Sequence, residues 1–440
     1  MSGERDIDVF SDVIDAEAAR RRRGRGARGP WTAGRDRRQP VRRAAATGLG
    51  PDLWELELHP VRNLDALGHH VAALEGRAAE PNVFFTLPLL QAAFPRLARM
   101  RTGAMGPIHL LCLWLTRAEE GEDRRRLALF MPLAVPTLGW PGRAAAMAAS
   151  SEWTPIGTPL VDRDVLPEAA EHALRLLADP SLLLPGALVM PDARADGPVA
   201  RAFEAAAGSL GLRHHAVQRR TRATHTVGQP TALSRRRERD HARQLRRLGE
   251  AGRLEIAEAR DEGDVLDAFE AFMVLELRSW KGRRGSALYN LRHIAAFSRQ
   301  TVSALAREGA CTVHSLKLDG ETVAALIVLG CERTGLHTWK TAFDPRVHAA
   351  SPGVQAVLAA TRAMERRYPP GIRIDSLAVE DHPVMDRVWR GRMAMATHVI
   401  ALRSDGANEA DALARAIARR DRWREGAKRL QRLLGLRADR

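Results

Sequence analysis

The 440-residue sequence predicts a mixed α/β (α+β) protein: two consecutive segments, each a sheet with covering helices, followed by a helix at the carboxyl end. Three observations carry this. Residues 311–331 read CTVHSLKL, Asp319-Gly320, ETVAALIVLGC, two apolar runs across a two-residue turn, which is a hairpin pattern. Residues 264–281 place Val265, Phe269, Phe272, Met273, Leu275 and Trp280 toward one side of a helix. WELELHPV (54–61) alternates apolar and polar, as a half-buried strand does. Apolar residues make up 45% of the chain, enough for ordinary cores, which excludes a wholly disordered protein.

Taken in order, residues 1–48 read as a disordered Arg-rich tail. Residues 20–43 hold eleven Arg against Asp36, with no apolar periodicity, so the run stays solvated. Its formal G-x-G-x-x-G at 24–29 follows no strand and opens no helix, so it is not a dinucleotide site. The first segment, 49–225, continues from strand 54–61 to helices at 64–77 and 87–100. Strands 108–116 and 127–135 follow across a charged turn. Pro and Gly punctuate 150–162 as an ordered loop or short strand, and helices at 166–178 and 198–210 flank a strand at 183–190. The second segment, 226–405, starts with a basic helix (234–251), a strand (253–259) and helices at 264–281 and 291–308. After the hairpin, Arg333-Thr334-Gly335 turns into a third strand, LHTWKTAF, and 344–351 is a loop. Pro352 and Gly353 open a helix to about 367. A short strand (IRIDSLA), a short helix (383–390) and a closing strand (MATHVIAL) complete it. In 406–440, Leu413, Ala416, Trp423, Ala427, Leu430 and Leu434 form an apolar stripe on a helix expected to dock on its own domain.

The formal charge is +15, and 64 of the 68 basic residues are Arg. Two readings fit: an anionic partner such as nucleic acid, or a codon bias that writes Arg for Lys. The scarcity of Lys favours the second. Cys112, Cys311 and Cys331 are far apart and no Cys/His spacing suits a metal, so no disulfide framework and no metal are expected. The amino terminus has no apolar signal core, and the longest apolar runs are Pro-broken and short of the ~20 residues of a membrane helix. The expectation is a soluble cytoplasmic protein. Nucleophile-elbow, Walker A and H-E-x-x-H patterns are absent. His69-His70 and His214-His215 are adjacent pairs whose side chains point apart, so neither is a chelate.

The second segment's layout is that of the GNAT N-acyltransferase fold, and specific words sit within it. Leu275-Glu276-Leu277-Arg278-Ser279-Trp280-Lys281-Gly282 followed by Gly285-Ser286-Ala287 resembles the LE…WKG…GTA signature of CelD-type (cellulose-biosynthesis-associated) GNAT-like proteins. Ala342-Phe343-Asp344, Ser351-Pro352-Gly353 and Asp375…Trp389-Arg390-Gly391 resemble further words of that family, with Asp386-Arg387 near an expected Tyr-Lys pair. Pro81-Asn82-Val83-Phe84-Phe85 and Gly157-Thr158-Pro159-Leu160-Val161 resemble its amino-terminal words. The resemblance covers about 50–405 and implies two tandem GNAT-like domains, 49–225 and 226–405, as in the related Fem-type enzymes.

Such enzymes hold acyl-CoA at the amino end of the helix after the fourth strand, where free N–H groups and the helix dipole suit a pyrophosphate. The usual [QR]-x-x-G-x-[GA] loop is met here by Ala350-Ser351-Pro352-Gly353-Val354-Gln355, where only the Gly agrees. The resemblance therefore implies Trp339, Thr341, Ser351 and Gly353 for acyl-CoA. It implies Trp280, Lys281 and Asp344 for the acceptor. Proton transfer needs a base: Glu276, Asp375 and His382 are the candidates, beside structural roles as an ion partner of Lys281 or Arg278, a loop cap and a helix cap. The implied activity is acyl, first acetyl, transfer from acyl-CoA to an amine of a small molecule, polysaccharide or envelope precursor. A Fem-like aminoacyl-tRNA-dependent transferase and a degenerate GNAT scaffold in exopolysaccharide production are the alternatives.

Overall fold

The computed structural model describes residues 41–46, 52–94, 108–117, 125–135, 145–151 and 153–433. The basic run to residue 40, its glycine motif and the 95–100 part of an expected helix lie outside these. The described residues fall into two compact units, one of residues between 41 and 220 together with 394–433, the other of residues 221–393.

In chain order the first stretch contains β1 (Arg42–Ala46), β2 (Leu53–Pro60), α1 (Leu64–Glu75), α2 (Leu87–Ala93), β3 (Ile108–Thr116) and β4 (Arg126–Ala134). Then come β5 (Ala146–Ala148), β6 (Leu160–Val161), α3 (Leu166–Leu177), β7 (Ala187–Arg194), α4 (Pro198–Ser209) and β8 (His214–Thr226). The second stretch holds α5 (Arg235–Glu250), β9 (Leu254–Ala259), α6 (Glu262–Arg278), α7 (Trp280–Arg283), α8 (Arg292–Arg307), β10 (Cys311–Leu318), β11 (Glu321–Leu329) and β12 (Leu336–Phe343). It ends with α9 (Pro352–Arg367), β13 (Arg373–Asp375), α10 (Met385–Val388), β14 (Gly391–Ala401) and α11 (Ala407–Leu433).

Three expectations change, the third being the closing strand expected within 226–405, of which 394–401 belongs to the other unit through pairing with β7. Arg42–Ala46 is not tail: it is antiparallel to β2, with Arg42 opposite Leu58 and Ala46 opposite Trp54. Its arginines have partners in the fold: Arg43, although exposed, has Nε 2.9 Å from the buried Glu57, and Arg42 Nη2 lies 3.1 Å from His109. The loop expected at 344–351 contains a 3-10 turn, Pro345–Ala350, started by the Asp344 side chain accepting the Arg346 N–H.

In the unit of residues 221–393 the strand order is β9-β10-β11-β12-β13-β8, the last contributing 224–226. The β10/β11 hairpin turns at Asp319-Gly320, both at positive φ, as such a two-residue turn requires. Ala324, Leu326 and Val328 alternate onto the face covered by α9, where Val354, Val357 and the fully buried Trp389 complete the core. In the other unit the order is β1-β2-β3-β4-β5-β7-β14, with β6 also on β4. The apolar runs of β3 and β4 are buried almost end to end.

The two halves of the sequence repeat one plan: strand, two helices, antiparallel strands, helix, a strand parallel to the one before that helix, helix, strand. The parallel pairs are β5 with β7 and β12 with β13. The final strands are exchanged. β8, from the first half, pairs with β13, and β14, from the second, pairs with β7. That exchange puts 394–401 and α11 in the amino-terminal unit, where Ala410, Leu413 and Ile417 pack on Ala187, Val189, Val399 and Ala401.

Candidate functional site

The LE…WKG…GSA word folds into one corner. α6 ends at Arg278, and Ser279 donates through Oγ to the Glu276 carbonyl while accepting the Lys281 N–H, starting α7. Gly282 is required: a Cβ there would lie 1.7 Å from the Leu277 carbonyl oxygen. The chain then turns back through Gly285, at positive φ, and the N–H groups of Ser286 and Ala287 donate to the Lys281 carbonyl. Glu276 is 2% exposed, and both its oxygens are engaged. Oε1 lies 3.1 Å from Lys281 Nζ, and Oε2 accepts the Leu288 N–H at 2.8 Å. Lys281 Nζ also donates to the Thr341 carbonyl at 3.2 Å. Glu276, Lys281 and the outer half of β12 are therefore joined. Trp280, half-buried, is covered by the Arg284 guanidinium.

β12 departs from regular pairing there. Against β11 its register shifts between Lys340 and Thr338, leaving Trp339 as the extra residue of a bulge. Trp339 is buried edge-on against Phe297. On its other edge, β12 matches β13 only at Leu336 with Ile374 and His337 with Asp375. Thr338 Oγ1 donates to the Ser376 carbonyl just beyond, and the two strands then part. The bulge, the end of the β12/β13 ladder and the Lys281 contact thus fall within 337–341.

α9 starts a few residues after β12. Its N-cap, Ser351, has left-handed backbone and makes no side-chain capping bond, Pro352 is the first helical residue, and the first turn holds no acid. A Cβ on Gly353 would lie 3.3 Å from the Phe343 ring, so this turn packs directly on the end of β12. Gln355, in the same turn, donates through Nε2 to the His241 carbonyl of α5. An acid-free helix start with free N–H groups is suited to an anion.

The remaining candidates are engaged elsewhere. Asp375 is buried, its Oδ2 3.0 Å from Arg222 Nη1 and its Oδ1 accepting the Leu377 N–H. It clamps the point where β12 and β13 part. Burial, outweighing the neighbouring Asp375 carboxylate, lowers the pKa of His337 and keeps that imidazole neutral. His382 accepts the Val384 and Met385 N–H groups on Nδ1, capping α10. Asp344 is gripped by Arg346, whose hydrogen bonds hold its carboxyl below the usual range. Asp386 is pushed the other way by burial. Of the residues the sequence pointed to, Glu276, Lys281 and Thr341 are joined and Gly353 packs on the end of β12, while Arg222, Thr338 and the His241–Gln355 link were not foreseen. Arg222 and the rest of β8 (HHAVQRRTRATHT) lack an apolar alternation to mark a strand.

The first half's counterpart of this region is filled by its own chain. The strand matching β12 is split: β5 pairs with Leu133 and Ala134 of β4, and β6 with Leu129 and Phe130. The intervening segment crosses to β7, where the Gly157 N–H donates to the Pro191 carbonyl. Asn82 pins that segment through the Ile156 and Thr158 carbonyls. At the start of the following helical turn, Asp162, fully buried, accepts the Asp164 N–H and lies 3.0 Å from Arg77 Nε.

Residues 234–378 match the family model of the acetyltransferase (GNAT) domain. Over that third of the chain the protein carries a GNAT acetyltransferase domain, and it is an enzyme of the acyltransferase class. Among solved structures, one that it resembles is the C-terminal domain (DUF2156) assigned to a lysylphosphatidylglycerol synthetase of Agrobacterium fabrum. The identity is 10%, with 80% of this chain and 95% of that one covered, at a TM-score of 0.46. FemX is similar at 10% identity, covering 74% and 95%, TM-score 0.46. A tandem GNAT protein from the clavulanic acid biosynthesis pathway is similar at 14% identity, covering 80% and 99%, TM-score 0.38. No curated protein matches the chain.

Proposed function

We propose that this protein is a CelD-like N-acyltransferase with two tandem GNAT-like domains. It transfers an acyl group, acetyl in the first instance, from acyl-CoA to an amine of a polysaccharide or cell-envelope precursor in the cytoplasm. The observation that carries the reading is the acid-free start of α9 against a bulged β12 whose ladder to β13 has just ended. Acyl-CoA supplies an activated thioester. The Gly353 N–H and the Ser351 hydroxyl would hold its pyrophosphate, the Ser351 N–H being given to the His348 carbonyl, and the β12 edge at Trp339 and Thr341 would hold the arm beyond it. Pro352 contributes no N–H, and its fixed φ suits the first helical position.

Glu276 keeps the Lys281 ammonium beside Thr341. When Lys281 turns to the acceptor, together with Trp280 and Asp344, Oε1 of Glu276 becomes available to take the proton of the attacking amine. Asp375 acts through Arg222 and Leu377 by holding the parting of the strands, and His382 by holding α10. Thermal shift with acetyl-CoA and longer acyl-CoAs tests the reading. Stabilisation by a thioester supports it, and indifference of the folded protein to all of them removes it.

A second reading, a Fem-like aminoacyl-tRNA donor, is favoured by one observation. Arg235, Arg236, Arg237, Arg239, Arg246 and Arg247 of α5 are all exposed, on a helix tied to α9 by the Gln355 bond. Steeply salt-dependent binding of charged tRNA, without acyl-CoA binding, would select it.

A further inference from the structure

α11 is built in two parts. Its first turns are anchored: Ala410, Leu413 and Ile417 are core residues, Asp411 Oδ1 lies 2.6 Å from His215 Nε2, and Asp421 accepts from Gln218 Nε2 at 2.7 Å. Just beyond, Trp423 is 80% exposed, flanked by the exposed Arg419 and Arg422. Trp423 is by far the most exposed of the large apolar residues on the described helices. In sequence it belongs to the stripe Ala416, Trp423, Ala427, Leu430, Leu434. Residues 415–433 contain eight Arg or Lys against Asp421 and Glu425, a net +6.

We propose that the outer half of α11 docks on an anionic phospholipid surface. A helix with Trp and Leu along one stripe and arginine around it lies in a lipid interface, ring among the headgroups and guanidiniums on phosphates. No described helix is long and apolar enough to cross a membrane, so the contact is peripheral. A second copy is a poor occupant, because two such segments would bring +6 against +6. A nucleic acid would satisfy the arginines but leave much of the exposed Trp423 ring in water.

The test is co-sedimentation of the full chain with phosphatidylcholine vesicles, with and without phosphatidylglycerol, at low and high salt. The comparison is with Trp423→Ala and with the double variant R419E/R422E. Trp423 is exposed, so both variants should keep the circular dichroism of the parent. The expected result is binding only to phosphatidylglycerol vesicles. It should weaken at high salt, fall about tenfold in Trp423→Ala, and fall at least about tenfold in the double variant. Four outcomes overturn the proposal: no vesicle binding, binding that neither variant alters, binding to RNA but not vesicles, or a concentration-dependent dimer that Trp423→Ala abolishes.

Discussion

The two halves of this sequence fold on one plan, yet they treat the same place in opposite ways. Where a helix follows the third antiparallel strand, the first half closes the position with its own chain. Its strand is split, the excursion hydrogen-bonds to β7 through Gly157, and a buried carboxylate, Asp162, takes the N–H an anion would seek. The second half keeps its strand continuous, bulges it at Trp339, ends the ladder at His337 and starts α9 without an acid. A carboxylate at a helix start stabilises the fold and excludes a phosphate by the same electrostatics. Duplication of the plan thus yields one half suited to stability and one suited to binding.

The largest effect should come from the closed position. Asp162→Ala leaves Arg77 and Arg126 facing an empty buried site and should cost about 3 kcal/mol. It should leave acetyl-CoA affinity unchanged at temperatures where the protein is folded. Urea melts and calorimetric titration check the two parts. A change of affinity without a loss of stability would break the comparison.

Acid should reach the first half through Glu57. Burial opposes its charge, but the hydrogen bond from His59 and the Arg125 guanidinium prevail and draw its pKa down to about 2. A depressed carboxyl stabilises the fold above its unfolded pKa, and the stabilisation is lost as pH falls from about 4.5 toward 2. The shift corresponds to about 3 kcal/mol. Melting temperature against pH should therefore drop over that window in the parent and stay flatter in Glu57→Gln, where equal slopes would contradict the assignment.

In the second half, Glu276→Gln preserves shape while removing the charge that holds Lys281. It should lower kcat about 10²-fold with KM for acyl-CoA little changed. An unaltered kcat would reduce Glu276 to a structural ion pair. The smallest effect is expected at the α10 cap. His382→Ala should cost about 1 kcal/mol of stability and leave the pH profile of kcat in place, whereas loss of a titrating limb would make His382 the base.

Much of this was legible in residue order. The hairpin at Asp319-Gly320, the helix opened by Pro352 and the turn at 275–287 follow from local patterns, because turn chemistry and helix starts are set by a few adjacent residues. Glu276 and Lys281 were visible as a pair because they share one word. A loop cap at Asp375 and a helix cap at His382 were also legible as alternatives to catalysis, whereas the Arg222 partner of Asp375, 153 positions away, was not. Arg42–Ala46 was hidden by composition: two arginines in a basic run look solvated until Glu57 and His109 are seen beneath them. β8 escaped because a polar strand has no apolar period to read.

The central claim is that α9 begins an anion site of the kind Asp162 has closed in the first half. Ser351→Asp tests it most directly, since Asp tolerates the left-handed backbone of Ser351 and would supply the missing acid. Calorimetric titration of CoA into the parent and this variant should give binding to the parent and at least about tenfold weaker binding to the variant, with melting temperature unchanged or raised. Equal affinity in both, or no binding of CoA by the folded parent, would contradict the account.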